Sequence, residues 1–129
     1  MALGIIAVNH VNVTVPAALE EAAKSFYSEV LGLRQIPKPV GTRQDIGAWY
    51  QLGDMQLHLS IEDAVQNEVS DRHVCYQVAD INAANVEFHN AGVDVIPDPR
   101  PVAGQGRFFV RDPGGNLLEI TQGIGADVK

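Results

Sequence analysis

His10-Val11-Asn12-Val13-Thr14-Val15 and His73-Val74-Cys75-Tyr76-Gln77-Val78 are one pattern written twice. Each opens on His-Val, alternates polar with apolar, and closes on valine, as a strand with one side on a core does. Working outward, the chain goes on repeating itself. Gly32-Leu33 is answered by Gly92-Val93, and Ile36-Pro37-Lys38-Pro39 by Ile96-Pro97-Asp98-Pro99. Gly47, Tyr50 and Leu52 align with Gly106, Phe109 and Arg111, and His58 falls opposite Glu119. Self-similarity at a period of about sixty residues means two copies of one supersecondary unit.

Each copy reads as strand, helix, then three strands. In the first, a strand over 8–15 precedes a helix on which Ala22, Ala23, Phe26, Tyr27 and Val30 recur at helical spacing. Glu20 and Glu21 favour its positive end, and Gly32 stands where a left-handed cap belongs. Strands over 33–37, 48–52 and 55–61 follow, the last two joined by the tight-turn pair Gly53-Asp54. The second copy places strands at 72–78, 93–96, 107–111 and 117–121, a helix over 81–91 ended by Gly92, and a turn at Asp112-Pro113-Gly114-Gly115-Asn116. The expected organisation is a first βαβββ module over 1–62, an acidic linker over 63–71, a second module over 72–123 and a tail over 124–129. The fold class is α+β: two such modules in pseudo-symmetric pairing, a curved mixed sheet forming a metal-lined cup, and helices on the outside.

Composition sets the outer bounds. A chain of 129 residues with 46% hydrophobic content is of single-domain size and holds enough apolar side chains for a core. A formal net charge of −7 argues against tracking nucleic-acid phosphates or an anionic membrane surface, leaving a small molecule as the expected partner. Cys75 is the single cysteine, so no internal disulfide forms and a reducing compartment is natural. The opening residues lack a basic stretch and a membrane-spanning apolar run, so a cytoplasmic location is expected.

The chemistry sits on the polar sides of four strands. Every second residue gives His10, Asn12 and Thr14; Gln56, His58 and Ser60; His73, Cys75 and Gln77; and Glu119 and Thr121. Their opposite sides, such as Leu57-Leu59-Ile61 and Leu118-Ile120, are apolar enough to meet the helices. Three imidazoles and a carboxylate, His10, His58, His73 and Glu119, are ordinary ligands for a divalent transition metal: Ni, Zn, Co, Fe or Mn. Asn12, Thr14, Gln56, Ser60, Cys75, Gln77 and Thr121 would line the substrate pocket. A lone strand histidine is more often hydrogen-bonded than metal-bound; the repeat shifts that balance. His89 lies on the second helix and reads as a surface residue. Cys75 has no paired His or CxxC spacing and reads as a small semi-buried side chain. Of Trp49 and Tyr50, one faces the polar side and the other the core. Arg34, Arg43, Arg100, Arg107 and Arg111 are candidates for an anionic substrate, with surface charge as the plainer role for most.

These residues carry a family resemblance. Asn9-His10-Val11, Phe26-Tyr27-Ser28-Glu29-Val30-Leu31-Gly32-Leu33, Arg72-His73-Val74 and the stretch from Phe109 through Asp112-Pro113-Gly114-Gly115-Asn116 to Ile120 resemble the vicinal oxygen chelate superfamily, the glyoxalase/bleomycin resistance/extradiol dioxygenase group. The resemblance implies paired βαβββ units and metal ligands at His10, His58, His73 and Glu119.

Ligand count separates the chemistries. Four protein ligands on an octahedral metal leave two adjacent positions for a substrate chelating through vicinal oxygens, which suits a glyoxalase-like lyase or isomerase passing through an enediolate. Glu119, the carboxylate of the set, would then be both ligand and base. Without His58, a triad of His10, His73 and Glu119 leaves three positions, enough for a catecholate and dioxygen, which is extradiol cleavage. A third reading is a metal-free pocket that sequesters a drug, as the resemblance to bleomycin-resistance proteins implies. An unclosed half-cup favours side-by-side pairing, and a homodimer is expected.

Overall fold

The computed structural model describes residues 2–101 and 106–122. The expected tail over 124–129 lies outside the described residues. The chain divides into two compact units, Met1–Val65 and Gln66–Lys129.

In the first unit, β1 (His10–Val15) pairs in parallel with β4 (Met55–Ile61), β4 antiparallel with β3 (Ala48–Leu52), and β3 antiparallel with β2 (Arg34–Ile36). The sheet order is β1-β4-β3-β2. Between β1 and β2 runs a 3-10 turn (Ala17–Leu19), the helix α1 (Glu20–Ser25) and a π turn (Phe26–Val30). The regular helix expected there is therefore cut short. Leu31 N–H reaches back five residues to Phe26 O at 2.9 Å, and the widened turn accommodates buried Phe26 and Tyr27 next to each other. Their rings pack edge to face, and Tyr27 also meets Tyr50. With Val15, Ala23, Ala48, Leu57 and Leu59 they form the core of this unit. Ala22, expected on the apolar face, is exposed.

The second unit repeats the plan: β5 (His73–Gln77), α2 (Ile81–Asn90), β6 (Ile96–Pro97), β7 (Arg107–Arg111) and β8 (Leu117–Thr121), in sheet order β5-β8-β7-β6. Phe88 from α2 meets Phe108 edge to face, and Tyr76, Val110, Leu118 and Ile120 complete a second buried cluster. The edge strands β2 and β6 are shorter than or displaced from the sequence expectation, and each runs into proline. Pro37 and Pro97 have no N–H to extend a ladder. A 3-10 turn (Asn67–Val69) lies within the segment read as linker, where Asn67 is buried and its amide donates to Gly114 O at 3.2 Å.

Strand pairing corrects one part of the sequence alignment. Trp49 pairs with His58, and Phe109 with Glu119, so Trp49 is the counterpart of Phe109 and Gly47 the counterpart of Arg107. The alignment of Tyr50 with Phe109 is one residue out of register. Such a slip moves a side chain to the other face of a sheet. Tyr50 is fully buried in the core, whereas Trp49 shares the polar face of His58.

Candidate functional site

Each unit brings one pair of candidates together, and the two pairs are built differently. In the first unit His10 and His58 project from the same face of the neighbouring strands β1 and β4. Their rings stack, centroids 4.0 Å apart and planes 18° from parallel. On its other side His58 stacks on Trp49, centroids 3.8 Å apart at 7°. His58 is thus the middle layer of a three-ring stack, buried at 8% exposure. Its Nε2 is engaged by Gln56 Oε1 at 2.9 Å, and His10 Nδ1 meets Asn9 Oδ1 at 2.9 Å. Burial, followed by the nearby His10 and Lys38, lowers the pKa of His58 and favours the neutral ring.

In the second unit the pair is polar. His73 Nε2 lies 3.1 Å from Glu119 Oε1, while its Nδ1 lies 2.9 Å from the backbone carbonyl of Asp71. A carbonyl oxygen only accepts, so Nδ1 carries a proton. In a neutral ring that leaves the Nε2 lone pair facing a carboxylate oxygen. Two acceptors at this distance require a cation between them, either a proton on one partner or a metal ion. This arrangement fits a metal by its donor chemistry: an imidazole oriented from behind by a carbonyl, beside a carboxylate. Parallel stacking, in contrast, does not aim the nitrogens of His10 and His58 at one point. Among the described residues no group of three or more His, Cys, Asp or Glu side chains is gathered to hold an ion.

The surrounding side chains differ between the pairs as well. Arg107 Nη1 lies 3.5 Å from Glu119 Oε2, and the Phe109 ring stands edge-on to His73 with centroids 5.9 Å apart. Cys75, expected to be semi-buried, is exposed on β5 opposite Glu119; partial desolvation and then the Glu119 carboxylate push its thiol up to about 11. It therefore stays protonated near neutrality, in keeping with an unreactive side chain. Among the pocket candidates, Ser60 Oγ donates to Asn12 Oδ1 at 2.7 Å, Thr14 Oγ1 to Glu62 Oε1 at 2.7 Å, and Thr121 Oγ1 to Gly106 O at 3.1 Å. Gln77 is exposed on the same face of β5 as His73. His89 is exposed on α2, its Nδ1 donating to Asn85 O within the helix.

Two arginines considered for substrate have other partners in the structure. Arg111 Nη1 donates to Gly115 O at 2.8 Å and Asn67 O at 3.2 Å, tying the 3-10 turn to the β7–β8 loop. Arg43 forms an exposed pair with Asp45. The stack on His58 and the contact between Arg107 and Glu119 went unread in the sequence. The signal for both was the true register of β3 against β7, which puts Trp49 and Phe109, and then Gly47 and Arg107, in equivalent places.

Two βαβββ units, each with its candidate His or Glu side chains on its own parallel strand pair, define the class. Residues 7–120 match the family model of the Glyoxalase/Bleomycin resistance protein/Dioxygenase superfamily, and the chain belongs to that superfamily. A glyoxalase family protein from Bacillus anthracis is 34% identical, with 94% of this chain and 98% of that one covered and a TM-score of 0.81. Lactoylglutathione lyase from Agrobacterium tumefaciens is 22% identical, with 89% and 92% covered and a TM-score of 0.67. The fosfomycin resistance protein FosX from Listeria monocytogenes is 15% identical, with 92% of each chain covered and a TM-score of 0.71. At those lower identities the likeness concerns the fold. No curated protein matches the chain. No described helix is long and apolar enough to cross a membrane.

Proposed function

We propose that this protein is a metal-dependent enzyme of the glyoxalase type, a lyase or isomerase acting on a small molecule with vicinal oxygens. The observation that carries this reading is the His73 to Glu119 contact, an oriented imidazole and a carboxylate 3.1 Å apart, a donor pair suited to a divalent ion. The ligand set is His73, Glu119, His10 and His58, whichever chain of a homodimer supplies each donor. When bound, a divalent ion of the Ni, Zn, Co, Fe or Mn group would supply Lewis acidity to the two substrate oxygens. Glu119 takes the proton from the carbon beside the carbonyl and returns it to the neighbouring carbon. His73, its Nδ1–H fixed on the Asp71 carbonyl, presents the Nε2 lone pair to the same ion as Glu119. Asn12, Thr14, Gln56, Ser60, Cys75, Gln77 and Thr121 are proposed to line the pocket.

A second reading has an observation of its own. His58 is held between Trp49 and His10 with Nε2 on Gln56, and a His58 kept there leaves His10, His73 and Glu119 as the donors. Three donors suit extradiol cleavage of a catechol.

One assay separates these readings. Thiol adducts of 2-oxoaldehydes, α-hydroxyketones and catechols are incubated with the protein in deuterated water, with and without a chelator, while dioxygen is followed by electrode. Deuterium entering the carbon skeleton, lost with the chelator and in Glu119→Gln, is the expected result; dioxygen uptake with a catechol supports the second reading instead. Undiminished turnover in a well-folded Glu119→Gln would sink both.

A further inference from the structure

Arg107 lies at the start of β7, two residues before Phe109 on the same face of the strand. Its guanidinium is gripped from behind. Nε donates to Asp98 Oδ2 at 2.6 Å and Nη2 to Asp98 Oδ1 at 3.1 Å, a two-pronged pair with one orientation. Asp98 is itself anchored, since Oδ1 also accepts from Arg100 N–H at 2.9 Å, and its side chain is 6% exposed. The group of Arg107 left over, Nη1, faces Glu119 Oε2 at 3.5 Å. The other oxygen of that carboxylate, Oε1, is on His73. The two oxygens of Glu119 are thus assigned different partners. Phe109 backs the arrangement, with the Arg107 guanidinium carbon 5.5 Å from its ring centre.

Among its described residues the first unit has no arginine at this place; its cation there is Lys38, at the position of Asp98, which donates to Ile46 O at 2.7 Å. The counterpart of Arg107 is Gly47, which has no side chain and no room for one: an added Cβ would clash with the Leu59 carbonyl oxygen. The guanidinium is therefore specific to the Glu119 half and is not a requirement of the βαβββ unit. Nor is Arg107 placed as a free anion receptor, because Asp98 and Glu119 already surround its charge.

We propose that Arg107, locked by Asp98, is a positioning residue for Glu119, holding Oε2 so that Oε1 stays on His73 and the carboxylate keeps one orientation for its cation. This rests on the reading of Glu119 as ligand and base. Its test uses the full chain as wild type, Arg107→Met, Asp98→Asn and Arg107→Lys, with circular dichroism to verify folding.

Two readouts are taken. In metal-free crystals of Arg107→Met, Glu119 should leave hydrogen-bond distance of His73 while β7 and β8 keep their register. By calorimetry with Co2+, Arg107→Met should bind about tenfold more weakly or worse, Asp98→Asn should be weakened in the same direction, and Arg107→Lys should recover part of the loss. A Glu119 still seated on His73 in Arg107→Met, or Co2+ affinity equal to wild type, overturns the proposal; should Arg107→Met not fold, the same outcomes in Asp98→Asn decide. A wild type that takes up no Co2+ removes the metal from the functional reading, while the metal-free crystals still decide the positioning role.

Discussion

Cys75 shows how much one residue's surroundings decide. Its side chain shares a face with His73 and stands opposite Glu119, where a nucleophile would be convenient. Yet partial desolvation of an exposed side chain and a neighbouring negative charge both disfavour a thiolate, and the thiol is pushed up to about 11. The sign follows directly. The folded state prefers the protonated thiol, so stability from this group is fully present below its ordinary value of 9.0 and declines as pH rises through about 11. At pH 8 the thiol therefore stays protonated, and alkylation should be slow. Iodoacetamide labelling followed by mass spectrometry should find Cys75 reacting at least tenfold more slowly than the same cysteine in urea, with the gap closing toward pH 11. Equal rates at pH 8 would contradict this environment. The sequence already carried half of the argument, in the lack of any paired base or second cysteine. The rest depends on which carboxylate faces the sulfur, a matter of strand register.

The elements were legible to different degrees, for physical reasons. β1, β4, β5 and β8 alternate cleanly because one face meets a core and the other does not, and period-2 patterning reports that difference directly. β3 was ambiguous because Trp49 and Tyr50 are both large and aromatic; only the pairing of Trp49 with His58 separates them. The π turn left no mark, since Phe26, Tyr27 and Val30 fit ordinary helical spacing equally well. α2 is the clearest element, with Asp80 at its N-cap accepting from Asn82 N at 3.0 Å and Ala83 N at 3.1 Å. Those amides have no partner within the helix, so the carboxylate satisfies donors that would otherwise need water. Asp80→Ala should lower stability by about 1 kcal/mol in urea denaturation, and Asp80→Asn should restore most of it. Loss in both alike would mean that charge at the helix end matters more than the side-chain acceptor.

For the molecule as a whole, duplication has given two units with the same strand order and different chemistry at equivalent positions. His10 answers His73 and His58 answers Glu119, but Trp49 against Phe109 and Gly47 against Arg107 make one pair part of a ring stack and set the other beside a guanidinium. The four candidates could be named from sequence because the repeat aligned their strands. Whether their donors serve one ion could not, because that depends on side-chain direction and on assembly. Stability offers a way to decide. A ligand that binds only the folded chain raises its stability by about 2.7 kcal/mol at a concentration one hundredfold above Kd. In a chain of this size that moves Tm upward by several degrees, roughly 3 °C or more per kcal/mol. Co2+ or Ni2+ should therefore raise the Tm of the wild type, and His73→Gln and Glu119→Gln should abolish the rise. His10→Gln and His58→Gln test the rest of the set, measured by scanning calorimetry at equal metal. If His10→Gln also abolishes the rise and His58→Gln does not, the ion takes three donors and the ring stack keeps His58; if both abolish it, the stack must open when metal binds, and the four-donor chemistry of a lyase or isomerase follows.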